Sequence, residues 1–129
     1  MPDKMNIGRV IVPSADVDAA IKWYEEKLGF SLLVDIPFGE GDRWVEVGAS
    51  GGGASIALAS PRGDYAPPRD TGIALDTDDP RKAYEELTAA GVDCDEPIGG
   101  DDSGVPPLFF FRDGDGNQLM IVQRPDYAG

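Results

Sequence analysis

The residues best suited to chemistry lie in the first half of the chain. Trp44 and Glu46 alternate with Val45 and Val47 over residues 43–47. A β-strand projects residues i and i+2 from one face, so this spacing sends the indole and the carboxylate out together. Phe38 stands in the turn just before this run, and Arg9 lies in an earlier β-branched run. A Trp–Phe pair beside carboxylates suits the stacking of a flat aromatic ligand or the holding of a cation. A different use of the same groups is enzymatic, with Arg9 or Glu46 as an electrostatic or acid–base group on a bound substrate.

Other chemistries are excluded by what is missing. The chain contains no His, so neither Cys94 nor any serine has an imidazole to activate it. Gly51-Gly52-Gly53 lacks the Lys-Ser/Thr pair that completes a phosphate-binding loop. Asp113-Gly114-Asp115-Gly116-Asn117 suggests a calcium loop, but Gln118 stands where glycine is required and Arg124 fills the twelfth position.

The elements that must hold these groups can be taken in order. Residues 7–12 form a strand closed by Pro13, which belongs at a strand end or a sheet edge. Asp16 caps a helix over residues 17–27, whose apolar face is Val17, Ala20, Ile21, Tyr24 and Leu28, and Gly29 stops it. Strands follow over residues 30–36, 43–47 and 54–59, with a turn at 37–42 that offers Phe38. Residues 60–70 link two halves, and the order then repeats. A strand over 71–77 leads to a helix capped by Asp79, with Pro80 at its first position and Gly91 at its end. Ala83, Tyr84, Leu87 and Ala90 share a face of that helix. A strand over 92–98 and a Gly/Asp/Pro-rich loop precede a closing hairpin whose turn is Asp113 to Asn117. Trp23, Tyr24, Phe109 and Phe111 are assigned to the core, whereas Arg9, Trp44 and Phe110 are open between core and ligand contact.

An offset of 63 residues carries Asp16 onto Asp79, Ala20 onto Ala83, and Ile56-Ala57-Leu58 onto Leu119-Met120-Ile121. Two βαβββ modules follow, about residues 5–60 and 70–125, within a single domain spanning 1–129. That length leaves no room for a second domain with its own core. The net charge of −13 repels phosphates, which argues against nucleic acid, and attracts cationic ligands. No apolar run approaches the ~20 residues needed to cross a bilayer. A lone cysteine and the absence of a visible signal peptide point to the cytoplasm.

Several short motifs, in order, resemble one family. They are Ala15-Asp16-Val17-Asp18-Ala19-Ala20, Trp23-Tyr24, Leu28-Gly29-Phe30, Ala90-Gly91-Val92 and Asp115-Gly116-Asn117. Together, over nearly the whole chain, they are similar to the vicinal-oxygen-chelate superfamily of glyoxalase I, bleomycin-resistance proteins and extradiol dioxygenases. The resemblance implies an α+β fold in which two βαβββ modules curl their sheets around a shared cavity. In metal-dependent relatives four strands supply the ligands, and by position these fall on Arg9, Ala57, Gly72 and Met120. A guanidinium stays protonated, a methyl group and a glycine offer no donor, and a thioether suits copper(I) rather than magnesium, manganese or zinc.

No metal and no cofactor are therefore expected, and no catalytic residue is assigned. The resemblance is to the metal-free bleomycin-resistance branch, which sequesters drugs in clefts of a homodimer. It implies a metal-independent small-molecule binding protein, homodimeric and cytoplasmic, whose ligand is an antibiotic, cationic or planar aromatic. The expected ligand-binding residues are Arg9, Phe38, Trp44, Glu46, Gly72, Phe110 and Met120. One alternative is a metal-free lyase or isomerase of the same superfamily using Arg9 or Glu46. Another is a partner or regulatory module whose cavity is filled by its own side chains.

Overall fold

The computed structural model describes residues 4–125. The chain divides into two compact units, Met1–Pro67 and Pro68–Gly129, and each has the element order βαβββ.

The first unit runs β1 (Arg9–Pro13), α1 (Val17–Leu28), β2 (Ser31–Phe38), β3 (Asp42–Gly48) and β4 (Ser55–Ala59). Its sheet order is β1-β4-β3-β2, with β1 parallel to β4 and the other pairs antiparallel. Asp16 caps α1 by accepting the Ala19 N–H, and Gly29 closes it at φ 69°, where a side chain would be strained. The helix buries Ala20, Ile21 and Tyr24. From the sheet, Val12, Val45, Val47, Ile56 and Leu58 are buried with them. Arg43 of β3 donates to Asp18 of α1, so Arg43, Val45 and Val47 face the helix. Trp44 and Glu46 therefore project from the opposite, open face.

The second unit runs β5 (Asp70–Thr77), α2 (Pro80–Ala89), β6 (Asp93–Cys94), β7 (Leu108–Arg112) and β8 (Gln118–Gln123), in sheet order β5-β8-β7-β6. Asp79 caps α2 through the Lys82 N–H, and Pro80 occupies its first turn. Phe109, Phe111, Leu119 and Ile121 form the buried side of the sheet. Tyr84 of α2 meets Phe109 edge to face, with ring centroids 5.4 Å apart, which places the helix on that side. Leu108, Phe110, Gln118, Met120 and Val122 alternate onto the open side.

Several expected assignments move. Ile7 and Gly8 lie outside β1, while Pro13 ends it, as expected, on an edge strand of the sheet. The strand expected over 92–98 shrinks to Asp93–Cys94, since Asp95, Glu96 and Pro97 are poor strand formers. Single bonds from Asp95 N–H to Phe110 O and from Ile98 N–H to Leu108 O continue the pairing past it. Ala90, expected on the apolar face of α2, is exposed at the helix end.

The Asp113 to Asn117 turn is a closed polar network. Asp113 Oδ1 accepts the N–H groups of Asp115 and Asn117, each at 2.9 Å, and Asn117 Nδ2 donates to Asp113 Oδ2. Asn117 Oδ1 accepts the Arg69 N–H at 3.0 Å, tying the start of the second unit to its own hairpin. Gly116 sits at φ 86°. The side-chain oxygens of Asp113 and Asn117, two of the residues that suggest a calcium loop, are thus engaged in holding the turn.

Candidate functional site

The open face of the first sheet carries a buried carboxylate. Register sets Glu46 opposite Ala57 and Arg9 opposite Ser55, which brings all four to one patch. Glu46 is 8% exposed and collects three donors. Ser55 Oγ donates to Oε1 at 2.5 Å, Trp44 Nε1 to Oε2 at 2.6 Å, and Arg9 Nε to the same Oε2 at 2.9 Å. A buried charge is tolerated when it is paired and hydrogen-bonded, and this one is both. Hydrogen bonds from Ser55 and Trp44, aided by the charge of Arg9, hold the Glu46 carboxyl below its ordinary pKa despite burial. It is a settled anion, poorly suited to take or give a proton near neutrality.

The same bonds orient the aromatic groups. The Trp44 N–H is fixed on Glu46, which sets the plane of the indole, and Phe38 stands beside it with centroids 5.6 Å apart at 59°. Phe38 is 48% exposed. It belongs to the end of β2 and not to the turn before β3, because the turn is shorter than expected. Pro37 is accommodated in β2, the other edge strand of that sheet, while Gly39 and Gly41 take φ 65° and 75° between the strands.

The second unit's open face is apolar by comparison. Phe110 and Met120 are cross-strand partners, with Ala74 beyond Met120 on β5. Gly72 lies in an irregularity of the β5–β8 register at φ 70°, so its residue type answers to backbone geometry. Arg112 at the end of β7 is gripped by Asp93 and Asp95. Of the seven expected ligand contacts, then, Arg9, Phe38, Trp44 and Glu46 meet in one unit, and Gly72, Phe110 and Met120 lie in the other. Ser55 was missed, because alternation with Ala57 in β4 sets its face but not the strand pairing that brings it to Glu46. Burial raises the thiol pKa of Cys94, which disfavours its thiolate.

A divalent ion finds no fit at the four aligned positions. Arg9 presents a cation already bonded to Glu46, Ala57 a methyl group, Gly72 no side chain and Met120 a soft sulfur. Among the described residues, no three His, Cys, Asp or Glu side chains gather to hold a metal.

Residues 6–121 match the Glyoxalase/Bleomycin resistance protein/Dioxygenase superfamily. The chain belongs to that superfamily. Its two βαβββ units, each a helix on a four-stranded mixed sheet, are the glyoxalase/bleomycin-resistance fold in its α+β form. Among solved structures, a superfamily member from Sphaerobacter thermophilus is 30% identical with a TM-score of 0.85, over 94% of this chain and 98% of that one. TnmS3, an antibiotic binding protein from Streptomyces sp. CB03234, is 29% identical with a TM-score of 0.81, over 97% of this chain and 100% of its own. A glyoxalase/bleomycin resistance protein from the same Streptomyces strain is 31% identical with a TM-score of 0.72, over 92% and 100% respectively. Among curated proteins none matches the chain.

Proposed function

We propose that this superfamily member is a metal-independent small-molecule binding protein that takes a planar aromatic ligand, an antibiotic being the leading class, on the open face of its first sheet. The observation that carries this reading is the Trp44–Phe38 pair, its indole held by the buried Glu46, which Ser55 and the half-exposed Arg9 also engage. An indole fixed before the ligand arrives loses little freedom on binding, which favours affinity. The donor chemistry at Arg9, Ala57, Gly72 and Met120 supports binding without a metal. The likeness to TnmS3, an antibiotic binding protein, supports the ligand class.

Glu46 speaks against its own use as an acid–base group in the enzymatic alternative, since three donors engage its two oxygens and its pKa is lowered. Gly72, Phe110 and Met120 are proposed as a secondary apolar contact surface. Homodimer formation is supported by the exposed apolar side chains Ile11, Leu32, Leu33, Ile36 and Phe38 on the first unit. The described residues contain no helix long and apolar enough to cross a membrane, and cytoplasmic residence remains part of the proposal.

A thermal-shift screen of planar aromatic antibiotics, with and without chelator, tests the reading. Ligand held only by the folded state raises the melting temperature. A shift of several degrees that chelator leaves unchanged is expected. A shift that appears only with added divalent metal contradicts it.

A further inference from the structure

Resting on that reading, we infer that the ligand presents an oxygen acceptor, a carboxylate or a pair of neighbouring oxygens, at the rim of its aromatic ring, and that Arg9 selects for it. The overall charge of −13 suggests the opposite preference, for a cation. The local arrangement reverses it. Glu46 is buried, with Oε1 engaged by Ser55 and Oε2 by both Trp44 and Arg9, so it offers an incoming cation little. Asp42, next on the same strand face, uses Oδ1 to accept the Arg43 N–H.

Arg9 is the complementary case. Its side chain is 50% exposed, and among the described residues only Nε is engaged, in the Glu46 pair. Both Nη groups remain, and a guanidinium presents such N–H groups as a planar fork that matches paired oxygens. Because Arg9 and Trp44 bond to one oxygen of Glu46, the fork stands alongside the indole. A ring stacked at Trp44 and Phe38 therefore has donors at its edge. Glu46 and Ser55 act as positioning residues that hold stacking group and donor together.

The test is calorimetric titration of the full chain with naphthalene-2-carboxylate, naphthalene-2-carboxamide and 2-(aminomethyl)naphthalene. At about 0.15 M salt the screening length is about 8 Å, so distant carboxylates contribute little. The carboxylate is expected to bind at least about tenfold tighter than the amine, the size of one charge-assisted hydrogen bond. Arg9→Gln brings the two within about twofold, and Arg9→Lys, which keeps the charge without the fork, retains an intermediate preference. Melting curves establish that each variant is folded, and Arg9→Lys carries the test should Arg9→Gln fail to fold. An amine that binds as tightly as the carboxylate overturns the inference, as does a preference that survives both Arg9 variants. If all three probes bind equally and Trp44→Ala abolishes them, the aromatic site stands and the role of Arg9 falls. If none binds, both fall.

Discussion

The two sheets place different chemistry on the same scaffold positions. In the first unit the open face carries Trp44, Glu46, Ser55 and Ala57; the register-equivalent positions in the second hold Leu108, Phe110, Gln118 and Met120. The helix-covered faces of both remain apolar, with Val45 and Leu58 answered by Phe109 and Ile121. Each unit must keep one hydrophobic face to fold, while the other is free to change. The first has used that freedom for a fixed polar cluster with an aromatic pair at its edge. On that face Arg9 pairs with the buried carboxylate of Glu46, whereas the second unit's Arg112 reaches exposed carboxylates of Asp93 and Asp95 near its sheet edge. Pairing in water adds little, and pairing under cover fixes geometry.

Substitutions at equivalent positions test whether this asymmetry is functional. Trp44→Ala is expected to weaken the ligand found by thermal shift by roughly a hundredfold, the scale of an aromatic hot spot. Leu108→Ala, its counterpart, leaves affinity within about threefold by calorimetry. Equal losses would erase the distinction.

Stability gives a smaller contrast. Glu46→Ala strands three donors and is expected to cost about 1–3 kcal/mol in urea unfolding. Phe110→Leu at the matching site, a modest volume change that strands nothing, costs less than about 1.5 kcal/mol.

Acid sharpens the same point. The folded state depresses the Glu46 pKa, so its contribution is present above the ordinary value of 4.5 and fades as pH falls through the lower folded value. The stability gap between the native chain and Glu46→Gln should therefore be full at pH 7 and narrow below pH 4.5. The smallest effect belongs to the second unit. Arg112→Gln is expected to change stability by about 1 kcal/mol or less, because both of its carboxylate partners are largely exposed.

Much of this was legible in the sequence because it follows period and punctuation. Asp16, Gly29, Asp79 and Pro80 announced both helices, and the offset of 63 disclosed the duplication. Alternation alone put Trp44 with Glu46 and Phe110 opposite the side that buries Phe109 and Phe111. The convergence on Glu46 was only half visible, since Ser55 and Arg9 reach it through strand pairing, and register is not written in any local run. A serine is also too common a residue to stand out by type. The overlong sixth strand has the opposite cause: Val92 and Cys94 look β-like, but Asp95, Glu96 and Pro97 let only isolated bonds form. Gly72 drew notice by alignment, yet its left-handed φ is a property of the bulge that only the folded backbone displays.

The central claim is that ligand meets the indole of Trp44. In a Trp23→Phe chain Trp44 is the sole tryptophan, and in a Trp44→Phe chain Trp23 is, packed edge-on against Tyr24 in α1. Titrating both with the ligand identified by thermal shift separates them. Saturable quenching of Trp44 emission, at the affinity measured by calorimetry, with Trp23 emission unmoved, is the predicted result. Calorimetric binding that leaves Trp44 emission unchanged would contradict it.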